Sequence, residues 1–149
     1  MVTDYSKPIK INIKKLQQEW SPFRDCIWVN VDRPITREEI ANAIKKKQFI
    51  TPETPKPKDS IWDVSSREQH LQRIAWFVCN FSDNYPIEID FGIPGYGNLR
   101  VDDGNHRFAA AIYLKKKYIS AICGGAISEI ERYHETPSNL EKENSKAIA

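Results

Sequence analysis

The residues best suited to chemistry form one short run between an apolar strand and an alanine-rich stretch, Val101-Asp-Asp-Gly-Asn-His-Arg-Phe-Ala-Ala-Ala111. The first turn of a helix exposes N–H groups without intrahelical partners and carries a partial positive charge, so it binds anions readily. Gly104 lacks a Cβ and lets a ligand approach the backbone, and the Arg107 guanidinium can hold a phosphate through two hydrogen bonds. The pattern therefore predicts a phosphate-binding turn.

Candidate roles follow from the residue types in this turn. Four consecutive residues are predicted to bind phosphate: Gly104, Asn105, His106 and Arg107. The candidate catalytic residues are Asp102, Asp103 and His106. Asp103 is the candidate Mg²⁺ ligand, because carboxylate oxygens suit that ion. A purely structural interpretation fits the same residues: an aspartate caps the helix, His106 is partly buried, and Arg107 pairs with an aspartate.

Composition restricts the class of protein. The chain has 149 residues, 40% hydrophobic and 28% charged, which excludes a chain that is disordered throughout. Lys and Arg total 22 against 20 Asp and Glu, so the formal net charge of +2 permits a nucleic-acid partner without indicating one. We expect one domain over residues 1–133 and a flexible charged tail over residues 134–149.

The sequence carries no signal for export or membrane insertion. It has no run of about 18 apolar residues, its N-terminal residues are polar, and its three cysteines form no CxxC pair. We therefore expect a cytoplasmic protein with reduced, buried thiols and no membrane partner.

Hydrophobic periodicity and turn residues predict the elements that position the turn. Strands are predicted at residues 7–16, 26–31, 85–91, 99–101 and 118–123, the third and fourth forming a hairpin. Helices are predicted after the capping boxes Thr36–Glu39 and Ser65–Glu68, the second ending near Asn80, and over residues 108–117. Residues 126–133 fit a strand end or a helix start, and the proline-rich residues 48–60 predict a surface loop.

Aromatic and histidine residues outside the turn receive simpler interpretations. His70 is predicted at a surface or edge position of its helix. Trp28 and Trp76 are predicted in the core, whereas Trp20 and Trp62 flank loops and are available to stack on a base or a partner.

The run Asp103-Gly-Asn-His-Arg-Phe-Ala-Ala110, with a hairpin before it and a strand after it, resembles the ParB/sulfiredoxin superfamily. The resemblance is sharp from Ile87 to Ile122 and implies a stand-alone α+β domain, a small mixed sheet with packed helices. It also implies a nucleoside triphosphate as a ligand, which would accompany the Mg²⁺ expected from the aspartates. Partition proteins of this family bind CTP through Gly-Glu-Arg-Arg, of which Gly104 and Arg107 match. Asn105 replaces the reactive cysteine of sulfiredoxins, so sulfinic-acid reduction is not expected.

Two functions fit these observations. The first is a protein that binds a nucleotide or nucleic-acid phosphate, with phosphoryl transfer or phosphodiester hydrolysis as the chemistry that such residues support. The second is a non-catalytic, phage- or plasmid-encoded protein that binds and inhibits a host protein. Its contact surface would be residues 51–59, Trp62 and the charged tail.

Overall fold

The computed structural model describes residues 6–52, 65–93 and 99–135. These residues divide into two compact units. Residues 6–19, 83–93, 99–104 and 116–135 form the sheet unit, and residues 20–52, 65–82 and 105–115 form the helical unit. Over the described residues the chain has a four-stranded mixed sheet and five helices. The α+β class predicted from the sequence is therefore confirmed.

The sheet unit contains the strands β1 (Ile9–Asn12), β2 (Ile87–Asp90), β3 (Arg100–Asp103) and β4 (Tyr118–Gly124), in the order β1-β4-β2-β3. β4 pairs antiparallel with β1 and parallel with β2, and β2 pairs antiparallel with β3. The predicted hairpin is therefore present, and its linking residues 94–98 lie outside the described part. Alternate strand residues are buried, as the period of two requires: Ile87, Ile89, Val101, Ile119, Ala121.

The predicted strand over residues 7–16 is correct only for its first half. The chain leaves β1 after Asn12 and forms helix α1 (Ile13–Glu19). The Asn12 side-chain oxygen accepts a hydrogen bond from the backbone N–H of Lys15 at 2.9 Å, as a helix N-cap does. Ile13 and Leu16, three residues apart, are both buried, so this stretch also satisfies a helical spacing.

The last described residues, His134 and Glu135, pair with β1. Residues 126–133, for which two interpretations were open, contain helix α5 (Ile127–Tyr133). His134 then bridges Ile11, and the Glu135 N–H donates to the Lys10 carbonyl at 2.8 Å. The first two residues of the predicted tail therefore lie along β1, and residues 136–149 lie outside the described part.

The helical unit contains α2 (Arg37–Lys46), α3 (Arg67–Cys79) and α4 (Asn105–Tyr113). The predicted capping box Thr36–Glu39 is confirmed at α2. At α3 the box is Ser66 with Gln69, one residue later than predicted. The Ser65 hydroxyl is buried and accepts a hydrogen bond from Arg73 Nη1 at 2.6 Å, so it is not the cap.

Two further predictions in the helical unit are wrong. Residues 26–31 are irregular and not a strand, because Asn30 has a positive φ of 68° and the Val31 N–H turns back to the Trp28 carbonyl. α4 begins at Asn105, not at residue 108, and ends before the lysines at 115–117. Lys115 has a φ of 58°, which ends the helix.

The cysteines are less buried than predicted. Cys26 lies in the irregular segment and Cys79 is the last residue of α3, and both are exposed. Cys123 is buried in β4, and burial raises the pKa of its thiol to about 12, so it stays protonated. In the described part of the chain, no helix combines the length and the apolar character needed to cross a membrane.

Candidate functional site

The predicted phosphate-binding turn lies where the chain passes from β3 of the sheet unit into α4 of the helical unit. β3 ends at Asp103, Gly104 follows with a φ of 92°, and α4 starts at Asn105. A Cβ at Gly104 would lie 2.5 Å from Ile87 Cγ2 on β2. The glycine is therefore required by its backbone conformation and by the neighbouring strand, which is a reason that the sequence alone did not provide.

Asn105 is held by a tryptophan of its own unit. The Trp20 Nε1–H donates a hydrogen bond to Asn105 Oδ1 at 2.8 Å. Trp20 was predicted to be available for stacking beside a loop, and the structure adds that its indole N–H bonds the first side chain of α4. The Asn105 carbonyl oxygen is thereby occupied within the protein.

His106 belongs to a stack of three rings, which we call the histidine stack: Trp28, His70 and His106. Its Nε2 lies 2.8 Å from His70 Nδ1. The Trp28 ring centroid is 4.7 Å from that of His70 and 5.0 Å from that of His106, with interplanar angles of 23° and 14°. The two imidazoles are themselves nearly parallel, with centroids 5.1 Å apart. One ring nitrogen of His106 is therefore bound within the protein.

His70 was predicted at the surface or edge of its helix, and that prediction is wrong. The residue is 0% exposed, on the buried face of α3 that also contains Leu71, Ile74 and Ala75. Its position four residues before Ile74 already indicated that face. Trp28 packs against the core of the helical unit, as predicted, although it is only half-buried.

Arg107 is half-buried on the first turn of α4. Its guanidinium carbon lies 5.8 Å from the centroid of the Phe77 ring on α3. A guanidinium at this distance from an aromatic ring is weakly attracted to it. The predicted phosphate-binding arginine therefore lies beside α3.

The candidate catalytic aspartates lie on β3 in the sheet unit. Asp102 Oδ1 accepts a hydrogen bond from Arg100 Nε at 2.7 Å, and Arg100 Nη2 lies 3.3 Å from Asp90 Oδ2. The hydrogen bond to Asp102, with the nearby carboxylates, raises the pKa of Arg100. The Asp102 side chain is 44% exposed, and Asp103 is opposite Glu88 in the strand register. The two aspartates are thus strand residues of one unit, while Asn105, His106 and Arg107 are helix residues of the other.

An ion pair between α2 and α3 positions the helix that carries His70. Arg67 Nε and Nη2 donate to the two Glu39 carboxylate oxygens, each at 2.6 Å. Hydrogen bonds from Arg67 lower the pKa of the Glu39 carboxyl from 4.5 to about 2, against the opposing effect of burial. Arg67 Nη1 also donates to the Arg33 carbonyl at 2.8 Å. We call Glu39 and Arg67 the α2–α3 clamp, and neither was predicted as a site residue.

Comparisons with protein-family models, curated proteins and solved structures found no match to the chain.

Proposed function

We propose that this chain is a ParB/sulfiredoxin-type protein that binds the phosphate of a nucleotide or nucleic acid through the first turn of α4. The observation that carries the proposal is the backbone conformation at its start. Gly104, with φ of 92°, directly precedes the helical residues Asn105 to Arg107. A left-handed residue next to helical residues brings successive N–H groups to one side, the arrangement that binds anions in phosphate sites.

Side chains of the same turn would complete the binding site. Arg107 supplies a permanent charge and a planar set of donors suited to phosphate oxygens. His106, whose Nε2 lies 2.8 Å from His70 Nδ1, is held on the same turn and was predicted to contact phosphate. Asn105 would contribute its backbone N–H, because its side-chain oxygen accepts from Trp20.

Phosphoryl transfer or phosphodiester hydrolysis is the reaction class that we assign to Asp102 and Asp103, with a nucleoside triphosphate as the candidate substrate. Mg²⁺ would neutralise charge on the phosphates. In the described ranges no three His, Cys, Asp or Glu residues form a group able to hold a metal, and Asp102 is bonded to Arg100. Asp103, predicted from its carboxylate as the Mg²⁺ ligand, would hold the ion together with the phosphates and water.

Calorimetry with a panel of nucleotides and short oligonucleotides, in the presence of Mg²⁺, tests the proposal. We expect micromolar or tighter binding to at least one ligand, with loss of binding in Arg107→Ala. Arg107→Lys should weaken binding less, because it keeps the charge and loses the paired donors. Arg24→Ala is the matched control, since it removes an exposed arginine of the same unit. Absence of heat with every ligand, or equal loss in the control, contradicts the proposal.

The second candidate is an interaction protein that binds a host protein, and an exposed apolar pair in the sheet unit favours it. Ile93 is 68% exposed and Ile127 is 60% exposed. Their neighbours Gly92 and Ala126 are joined by a backbone hydrogen bond of 2.9 Å. The surface predicted from the sequence lies almost entirely outside the described residues.

An affinity capture from host lysate separates the two candidates. If the protein acts by contact with a host protein, the captured partner is lost with Ile127→Lys and retained with Arg107→Ala. A capture that Ile127→Lys leaves unchanged, or that recovers no protein, contradicts this candidate.

A further inference from the structure

The sheet unit contains a cleft that takes no part in the proposed phosphate binding. Its volume is about 400 Å³, and pockets that bind small molecules have volumes of roughly 300–1,000 Å³. The lining residues belong to α1 and to the end of α5: Lys15, Gln18, Glu19, Arg132 and Tyr133. The cleft is therefore large enough for a small ligand, and all of its lining comes from one unit.

Hydrogen bonds made by α1 hold the two walls of this cleft together. The Lys15 ammonium donates to the Arg132 carbonyl at 3.2 Å. The buried Asn12 accepts from the Lys15 N–H at 2.9 Å and donates through Nδ2 to Glu135 Oε1. The start of α1 is thus joined to the last turn of α5 and to the residues that follow it. Walls that are already joined need less ordering when a ligand binds.

Tyr133 contributes a buried phenol to the lining. The residue is 7% exposed, and its ring lies against that of Phe91, with centroids 5.3 Å apart. Burial and, to a smaller extent, the nearby Glu19 carboxylate raise the pKa of the phenol. The hydroxyl therefore keeps its proton at neutral pH and is a neutral donor. Such a donor suits an anionic oxygen of a ligand.

The lining carries charges of both signs. An ammonium has three N–H donors, and the Arg132 carbonyl accepts from one of those of Lys15. Glu19 brings a carboxylate to the same cleft, and it repels an anion that has no positive group of its own. The Arg132 guanidinium pairs with Glu129 at 3.0 Å, so its charge is already balanced on α5. A ligand with one group of each sign fits this lining.

The spacing on α1 limits how far apart the two groups of the ligand can be. Lys15 and Glu19 are four residues apart in one helix, so their Cβ atoms are about 5–6 Å apart. The ammonium and carboxylate of the ligand must therefore also be close together. In an α-amino acid both groups are attached to the same carbon atom.

We propose that this cleft binds a free α-amino acid. The carboxylate of the ligand accepts hydrogen bonds from the Lys15 ammonium and the Tyr133 hydroxyl, and the ammonium of the ligand pairs with Glu19. The inference is independent of the proposed phosphate binding, whose helix residues belong to the other unit.

Titration of isotope-labelled protein with single free L-amino acids is the first test. Backbone amide NMR signals should shift saturably over residues 15–19 and 132–133. We expect a dissociation constant of about 1 mM or tighter for at least one amino acid. Absence of saturable shifts with every free amino acid, or shifts confined to other residues, overturns the proposal.

Derivatives of the amino acid that binds best test its two charged groups. N-acetylation removes the ammonium, and conversion of the carboxylate to an amide removes the anion. Each change should weaken binding about tenfold, because each removes one hydrogen bond between charged groups. Equal affinity of the free and N-acetylated forms means that the cleft binds an anion only, and this result overturns the proposal.

Variants of the lining assign each group to its partner. Glu19→Gln should weaken binding of the free amino acid and leave binding of its N-acetyl derivative unchanged. Glu131→Gln is the matched control, because it removes the charge of an exposed α5 residue that does not line the cleft. If the two variants have the same effect on the free amino acid, Glu19 does not bind its ammonium and the proposal is wrong.

Tyr133→Phe keeps the ring against Phe91 and removes the hydroxyl. It should weaken binding of the free amino acid and of its N-acetyl derivative more than binding of the amide. Lys15→Gln, at an exposed position, is the second variant should Tyr133→Phe fail to fold, and Lys14→Gln is its control on the same helix. Unchanged affinity in both Tyr133→Phe and Lys15→Gln contradicts the assigned carboxylate contacts.

Discussion

The two halves of the Asp102–Arg107 segment are held by different physical means. Asp102 is a partly exposed strand residue whose contact is an ion pair with Arg100 at 2.7 Å. His106 is a helix residue stacked with Trp28 and hydrogen-bonded to the buried His70. Exposed ion pairs are weak because water and salt screen them, whereas buried stacked groups are fixed by packing. Within six consecutive residues, the side-chain environment therefore changes from solvent-exposed at Asp102 to packed against other rings at His106.

This difference predicts that the free energy of unfolding responds strongly to substitutions at Gly104 and in the packed helical unit. It should respond weakly to substitutions at the exposed Asp102. The following substitutions test that contrast by chemical denaturation, in order of decreasing expected effect.

Gly104→Ala should give the largest loss. The added Cβ would lie 2.5 Å from Ile87 Cγ2, in a backbone with φ of 92° that L side chains rarely adopt. We expect a loss of about 3 kcal/mol in the free energy of unfolding, from overpacking and backbone strain together. Gly124→Ala is the matched control, because no atom lies within 4 Å of its Cβ position. Equal effects of the two substitutions would contradict the packing of Gly104 against β2.

Glu39→Gln should have an intermediate effect through the α2–α3 clamp. Breaking a partly buried pair that makes two hydrogen bonds of 2.6 Å should cost about 2 kcal/mol at neutral pH. Because the pKa of the carboxyl is lowered from 4.5 to about 2, its stabilisation is present above pH 4.5 and is lost as the pH falls towards 2.

The pH dependence provides the check on this prediction. The original chain should lose more stability than Glu39→Gln between pH 4.5 and pH 2. Glu38→Gln, a change at the exposed neighbouring residue of α2, should keep the pH dependence of the original chain. If Glu39→Gln and Glu38→Gln have the same pH profile, the clamp does not stabilise the helical unit.

Asp102→Asn should have the smallest effect. Its partner Arg100 is 61% exposed, so removing the charge should leave the denaturation midpoint unchanged at moderate salt. A small decrease at low salt, which disappears as salt is added, would fit a screened pair. A large loss that persists at high salt would mean that the two halves of the segment do not differ as described.

Local signals in the sequence predicted much of the fold. The alternation of Ile87 and Ile89 predicted β2, and Thr36 with Glu39 predicted the start of α2, because both signals involve residues close in sequence. The strand over residues 26–31 failed because a dense apolar run does not distinguish a strand from an irregular segment whose Trp28 packs on other helices. Ser65 failed as a cap because Arg73, eight residues later, bonds its hydroxyl.

The sequence proposed residues for the candidate site but could not predict their contacts. The glycine, histidine and arginine of the turn were identified from type and spacing. Their partners could not be, since His70 is 36 residues before His106 and Trp20 is 85 residues before Asn105. Only the buried-face position of His70 on α3 was available from the sequence, because Leu71, Ile74 and Ala75 define that face by helical spacing.

The most direct measurement of the central claim is the change in backbone amide NMR signals during titration with a dinucleotide diester, whose charge is constant near neutral pH. Phosphate binding by α4 predicts saturable shifts at the amides of Asn105, His106 and Arg107, which disappear in Arg107→Ala. Shifts that remain in that variant, or that occur at surface lysines and leave the first turn of α4 unchanged, would contradict it.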